Sequence, residues 1–226
     1  MTDVRLLPNA AANANDDSAG WTELYDRVVH ALNQHGVADR APKVGETFPD
    51  FALPDRNGHY RSLRDLCADG PVVISFQRGL WCPYCSHELA AWAGVLPSLS
   101  EAGVKLVIVS GEIGDRAIAL HRLVGDDAVM LCDVDHGAAL ATGLAFHVGK
   151  EMQDRYRAFG LDLAAIYGSD GWFLPVPATY VLDALGVVAY AFADPDFRNR
   201  ADPVDVAALA TKSARGEVGR RESRPE

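Results

Sequence analysis

A chain of 226 residues, 49% of them apolar, has enough material for one domain around a sizeable core. Its net charge of −10 argues against nucleic acid or an anionic membrane surface as a partner. Its four cysteines, two of them in one motif, exclude a disulfide-stapled scaffold.

Residues 1–19 are small, polar and aperiodic, which predicts a loose arm. They lack both the basic start and the apolar stretch of a signal peptide. An amphipathic helix follows, with Trp21, Leu24, Val28 and Leu32 on one face and Gly36 as its stop. From Val44 to Leu66 turn and strand signals alternate, and Arg56-Asn57-Gly58 marks a hairpin turn. The apolar run Val72–Gln77 predicts a buried strand, and a helix is expected from about Pro83 to Ser98. A second buried strand is expected over Val104–Ser110, a helix over Asp115–Val124 and a short strand over Ala128–Cys132. Residues 143–170 carry mixed helical signal and read as an insertion. The runs Ala178–Leu182 and Val187–Ala193 read as a hairpin through Asp183–Gly186, and a last helix spans about Pro203–Lys212. Strands alternating with helices give an α/β fold, a central mixed sheet covered by helices on both faces. The expected division is an N-terminal arm and short helix (1–40), the main domain (41–212) and a disordered tail (213–226). No run approaches the apolar length of a membrane span, and a cytoplasmic location is expected.

The chemistry concentrates in Trp81-Cys82-Pro83-Tyr84-Cys85, directly after the apolar run that ends at Phe76 and Gln77. Two cysteines three apart can close a small disulfide loop. Pro83 suits the first helical position, where its missing N–H would be unsatisfied anyway. The free N–H groups and partial positive charge of a helix N-terminus favour thiolate over thiol. Cys82, at the helix cap, can accept from the N–H of Tyr84 or Cys85, and Cys85 lies one turn in, placed to resolve what forms on Cys82. Half of a zinc site is the competing interpretation; it needs two further ligands, and the chain has no second C-x-x-C. A C-x-x-C beside a strand–helix pattern reads as thioredoxin-like.

These residues carry a family resemblance. Phe76 to Cys85 resembles the active site of the thioredoxin superfamily, and Val44 to Pro54 resembles the opening hairpin of peroxiredoxins of the alkyl hydroperoxide reductase/thiol-specific antioxidant type. Val176-Pro177-Ala178-Thr179-Tyr180-Val181-Leu182-Asp183 resembles the late strand such proteins place beside the active cysteine, and Phe192–Pro203 resembles the peroxiredoxin-like branch that carries W-C-P-Y-C. The resemblance covers about residues 42–210. It implies a thioredoxin-like fold and a cis peptide at Pro177, packed against the dithiol. It also implies a hydroperoxide substrate, thioredoxin or a similar dithiol as reductant and no cofactor, and it admits a homodimer.

The sequence departs from the family pattern inside the site. Peroxiredoxins carry P-x-x-x-T-x-x-C and a later arginine. In that frame Cys85 takes the peroxidatic position and Glu88 matches an acidic residue three places on. Arg78 replaces the proline, Cys82 replaces the threonine, and Pro177 stands near the arginine's place. Against thioredoxin, the dithiol and Pro177 fit, and Ser75 occupies the place of a buried aspartate. The helix-cap argument makes Cys82 the first cysteine oxidised; the family frame makes it Cys85. Arg78 either lowers a thiolate pKa or merely covers the strand end. Trp81 is expected to pack beside the nucleophile, His87 to face solvent, and Cys67 and Cys132 to be small buried hydrophobes. Gly111-Glu112-Ile113-Gly114 reads as an ordinary strand-to-helix turn, and His136 and His147 have no ligand-like spacing.

The resemblance implies a thiol peroxidase in which a thiolate becomes sulfenic acid, condenses to a Cys82–Cys85 disulfide and is recycled by an external dithiol. The alternative is a protein thiol–disulfide oxidoreductase, which the missing threonine and arginine favour. A third is a non-enzymatic redox sensor.

Overall fold

The structure, a computed structural model, describes residues 18–215. The expected arm at 1–17 and tail at 216–226 lie outside the described residues. The first element, α1 (Ser18–Gln34), buries Leu24 and Leu32 and lays Trp21, Tyr25 and Val28 against the same core. It ends as expected at Gly36, whose φ of 62° is one a side chain would resist. Strands β1 (Ala52–Pro54) and β2 (Tyr60–Ser62) form the hairpin around Asn57-Gly58, where the Asp55 carboxylate accepts from the N–H groups of Asn57 and His59. A short helix, α2 (Leu63–Ala68), follows, which periodicity could not reveal in six residues; the Ser62 hydroxyl caps it by accepting from the Asp65 N–H.

Then come β3 (Val72–Gln77), α3 (Pro83–Glu101), β4 (Lys105–Ser110), α4 (Gly114–Val124) and β5 (Val129–Cys132). The helix α3 runs through Pro97 to Glu101, past the expected stop at Ser98. A single 3₁₀ turn (Val134–His136) leads to α5 (Gly137–Ala141). The expected insertion, 143–170, contains β6 (Ala145–His147), α6 (Gly149–Ala158) and α7 (Leu163–Tyr167); β7 (Phe173–Pro175) follows it and pairs antiparallel with β6 in a sheet of their own. The chain closes with β8 (Ala178–Leu182), β9 (Val188–Ala193) and α8 (Pro203–Ala214). The last helix takes in Ser213 and Ala214, which the sequence assigned to the tail.

The main sheet has the order β5-β4-β3-β8-β9. β3 runs parallel to β4 and antiparallel to β8. Its six residues are all buried, because helices cover both faces. Strand alternation divides them: Val72, Ile74 and Phe76 enter the core shared with α1, α2 and the inserted segment. Val73 enters the core shared with α3, α4 and α8, and Ser75 and Gln77, in phase with it, carry polar groups to the same side. The dithiol follows the carboxyl end of this central strand, and both its cysteines lie in the core shared with α3, α4 and α8. No helix among the described residues is long and apolar enough to cross a membrane.

Candidate active site

The turn from β3 into α3 is held by a buried carboxylate. Gly79 has φ 116°, and a Cβ there would come within 2.3 Å of the Glu112 side chain. That close approach lets Glu112 Oε2 accept from the Leu80 N–H at 3.0 Å. Arg116 donates to the other oxygen at 3.4 Å, and burial pushes the Glu112 carboxyl upward. The segment 111–114 is therefore more than a turn: it fastens the loop that carries the dithiol. Ser86 closes the loop from the other side by donating to the Leu80 carbonyl at 2.9 Å. Trp81 is half-buried, and its Nε1–H donates to the Arg78 carbonyl at 3.0 Å and the Tyr167 hydroxyl at 2.8 Å.

Cys82 is the N-cap residue of α3, with extended backbone (φ −94°, ψ 116°), and Pro83 opens the first turn. Both thiols are free and enclosed, Cys82 at 2% exposure and Cys85 at 0%. The Cys82 sulfur falls outside the geometry of a capping hydrogen bond, unlike the expectation from sequence. The Cys85 thiol, directed at it, does the most to lower its pKa to about 6; Arg78 and Arg200 add to this, against the cost of burial, and the Cys85 amide contributes least. Cys85 moves the other way, raised by burial first and then by its neighbour Cys82. The pair therefore stores its first negative charge on Cys82.

Two guanidiniums lie at this pair, that of Arg78 buried and that of Arg200 partly buried. Arg78 is 2% exposed, donates from Nε to the Pro175 carbonyl at 3.4 Å and lies 4.0 Å from the Phe197 ring centre. It is no surface arginine. Arg200, which the sequence reading missed, donates from Nη2 to the Cys85 sulfur at 3.3 Å. Its Nη1 bonds Glu88 and reaches Gln77 Oε1 at 3.4 Å. Glu88 is buried, and its Oε1 also accepts from Trp92 Nε1 at 3.1 Å and Ser75 Oγ at 3.3 Å. Gln77 Nε2 completes the network on Ser75 Oγ at 2.7 Å. The carboxylate missing at Ser75 is thus supplied from α3, by Glu88.

Pro177 is buried one residue before Ala178, which pairs with Phe76, so it stands beside the end of β3. The cis peptide that the resemblance implied is not found: no cis bond occurs among the described residues. The backbone passes from β7 into β8 with the Val176 N–H donated to the Leu144 carbonyl, and trans is the lower-energy form of an X–Pro bond. His87 faces solvent. Cys67 is buried, and burial raises it to about 11; half-buried Cys132 donates to the Glu112 carbonyl at 3.2 Å.

A sequence model of the AhpC/TSA family matches residues 44–191. A Mycobacterium tuberculosis relative named as a peroxiredoxin is 35% identical over 121 residues, 53% of this chain and 79% of its own length. The thiol-disulfide oxidoreductase ResA of Geobacillus kaustophilus is 26% identical over 149 residues, 66% of this chain and 68% of its own. Among solved structures, the peroxidoxin BcpB from Mycobacterium tuberculosis superposes with a TM-score of 0.58 at 22% identity, covering 76% of this chain and 97% of that one. This likeness shows the fold. Tyr25, Phe197 and Arg200 lie outside the matched residues 44–191.

Proposed function

Because the chain belongs to the AhpC/TSA family and is a thiol-dependent oxidoreductase, we propose that it reduces small hydroperoxides through Cys82, with Cys85 as the resolving thiol. The observation that carries this reading is the pair of guanidiniums at the dithiol, Arg200 on Cys85 and the buried Arg78 lowering Cys82. The sequence lacked the family's arginine at its usual place, which supported disulfide exchange as the alternative; Arg200 brings a guanidinium to the dithiol from a different element.

In the first step the Cys82 thiolate forms an S–O bond as the O–O bond breaks. The departing oxygen takes the bonding pair and a proton, leaving as water or an alcohol, and the sulfur, oxidised by two electrons, becomes sulfenic acid. Charge developing on that oxygen is where a fixed guanidinium helps most, beside sulfurs of low exposure. Cys85 then attacks the sulfenic sulfur, the S–S bond forms, and hydroxide leaves as water with the Cys85 proton. An external dithiol of the thioredoxin type restores both thiols by exchange. A cytoplasmic setting, where such a dithiol stays reduced, suits this cycle.

Disulfide exchange as the main activity is the second reading, favoured by the C-x-x-C at a helix start and by the ResA relative. Trapping tests the first reading and its nucleophile: Cys85→Ser treated with peroxide and dimedone should carry the adduct on Cys82. An adduct on Cys85 in Cys82→Ser, formed at the wild-type oxidation rate, would move the nucleophile to Cys85.

A further inference from the structure

The two residues flanking the Cys82-Pro83 pair each meet an aromatic ring, half-buried Trp81 on one side and exposed Tyr84 on the other. Trp81 meets Tyr156 edge-on at 5.6 Å, and Tyr84 meets Phe197 at 5.6 Å. On these rings sits α1: Trp21 lies 5.9 Å from Tyr156, and Tyr25 lies 4.9 Å from Phe197, whose ring also carries the Arg78 guanidinium. Outside the rings, Asp26 pairs with Arg198 at 2.8 Å, and Arg27 pairs with Glu151. The helix is joined to the domain through Gly36 and Ala38, both at positive φ (62° and 70°). With the helix in this position, Cys82 is too enclosed for another protein's sulfur to reach it in line.

We propose that Tyr25 is a specificity-determining residue: while α1 is docked, it leaves Cys82 open to small oxidants and shuts out protein-sized disulfides and dithiols. This rests on Cys82 being the reactive thiol. The substrate class that fits is a small hydroperoxide, and a protein reductant gains its turn only when α1 lifts from Phe197 and Tyr156. The Tyr25 and Tyr156 hydroxyls also feel the charges of Arg78 and Cys82, consistent with a roof that faces the sulfur.

The test compares alkylation of Cys82 in the reduced full chain by iodoacetamide and by a polyethylene-glycol maleimide of protein size, with the site identified by peptide mass spectrometry. Tyr25→Ala should raise the ratio of bulky to small reagent rates about tenfold, as the undocked fraction rises by that factor. Asp26→Asn, which keeps every ring of the roof, should shift the ratio the same way by a smaller factor, and it decides the matter if circular dichroism shows Tyr25→Ala to be misfolded. An unchanged ratio in folded Tyr25→Ala, or in Asp26→Asn when that variant decides, overturns the proposal. No peroxide enters this test, so a failed peroxidase reading leaves its outcome intact.

Discussion

Arg200 reaches Cys85 from 115 residues away, on a loop between β9 and α8. No motif spacing could announce it, because a long side chain rather than a backbone register closes the distance. Cys82, Cys85 and Pro83 were legible because their chemistry depends on local spacing; the burial of Arg78 was not, because it depends on Phe197. Glu88 is buried in its pair with the partly buried Arg200, at 4% and 12% exposure. Arg200→Ala should therefore cost about 3–5 kcal/mol by leaving Glu88 uncompensated. Chemical denaturation measures this, and a loss below about 1 kcal/mol, the scale of an exposed pair, would contradict it. Cys82 offers a sign-definite pH test. Its iodoacetamide rate should rise with a midpoint near pH 6 rather than 9. An acid whose folded pKa lies below its unfolded value adds stability that is complete above the unfolded value and lost as pH falls through the folded one. The melting temperature of the reduced protein, relative to Cys82→Ser, should accordingly grow from about pH 6 to about pH 9. A difference that shrinks over that window would place the charge elsewhere.

At the scale of elements, β3, β4 and β8 were readable because buried strands are continuous apolar runs. The short α2 and α7 and the β6–β7 pair were not, since six or five residues of helix and three of strand each hold less than two periods of their own pattern. The sequence reading also passed over Glu112 as part of a turn. Its role depends on Gly79, where positive φ and close approach coincide, and only the fold brings those two segments together. Gly79→Ala should strain the backbone and push against a buried carboxylate at once, costing about 2 kcal/mol or more. Thermal melting and the Cys82 alkylation rate should fall together. A variant as stable as wild type would mean that the loop has room the geometry denies.

Across the whole molecule, the site is assembled from inside and outside the family-matched span. Residues 44–191 supply the sheet, the dithiol, Arg78, Glu88 and Glu112, while Tyr25, Phe197 and Arg200 come from the flanks. The guanidinium that joins the peroxiredoxin framework to the thioredoxin-like motif, that of Arg200, lies past the end of the family-matched residues 44–191. The dithiol also sits where oxidation has an optical reporter, because Trp81 adjoins Cys82 and shares hydrogen bonds with Tyr167 and Arg78. The most direct measurement is stopped-flow tryptophan fluorescence of the reduced protein mixed with hydrogen peroxide, with mass spectrometry of the product. The expected result is a rate proportional to peroxide, well above that of free cysteine, ending in one Cys82–Cys85 disulfide. Oxidation no faster than a free thiol would contradict the peroxidase assignment and leave disulfide exchange as the working chemistry.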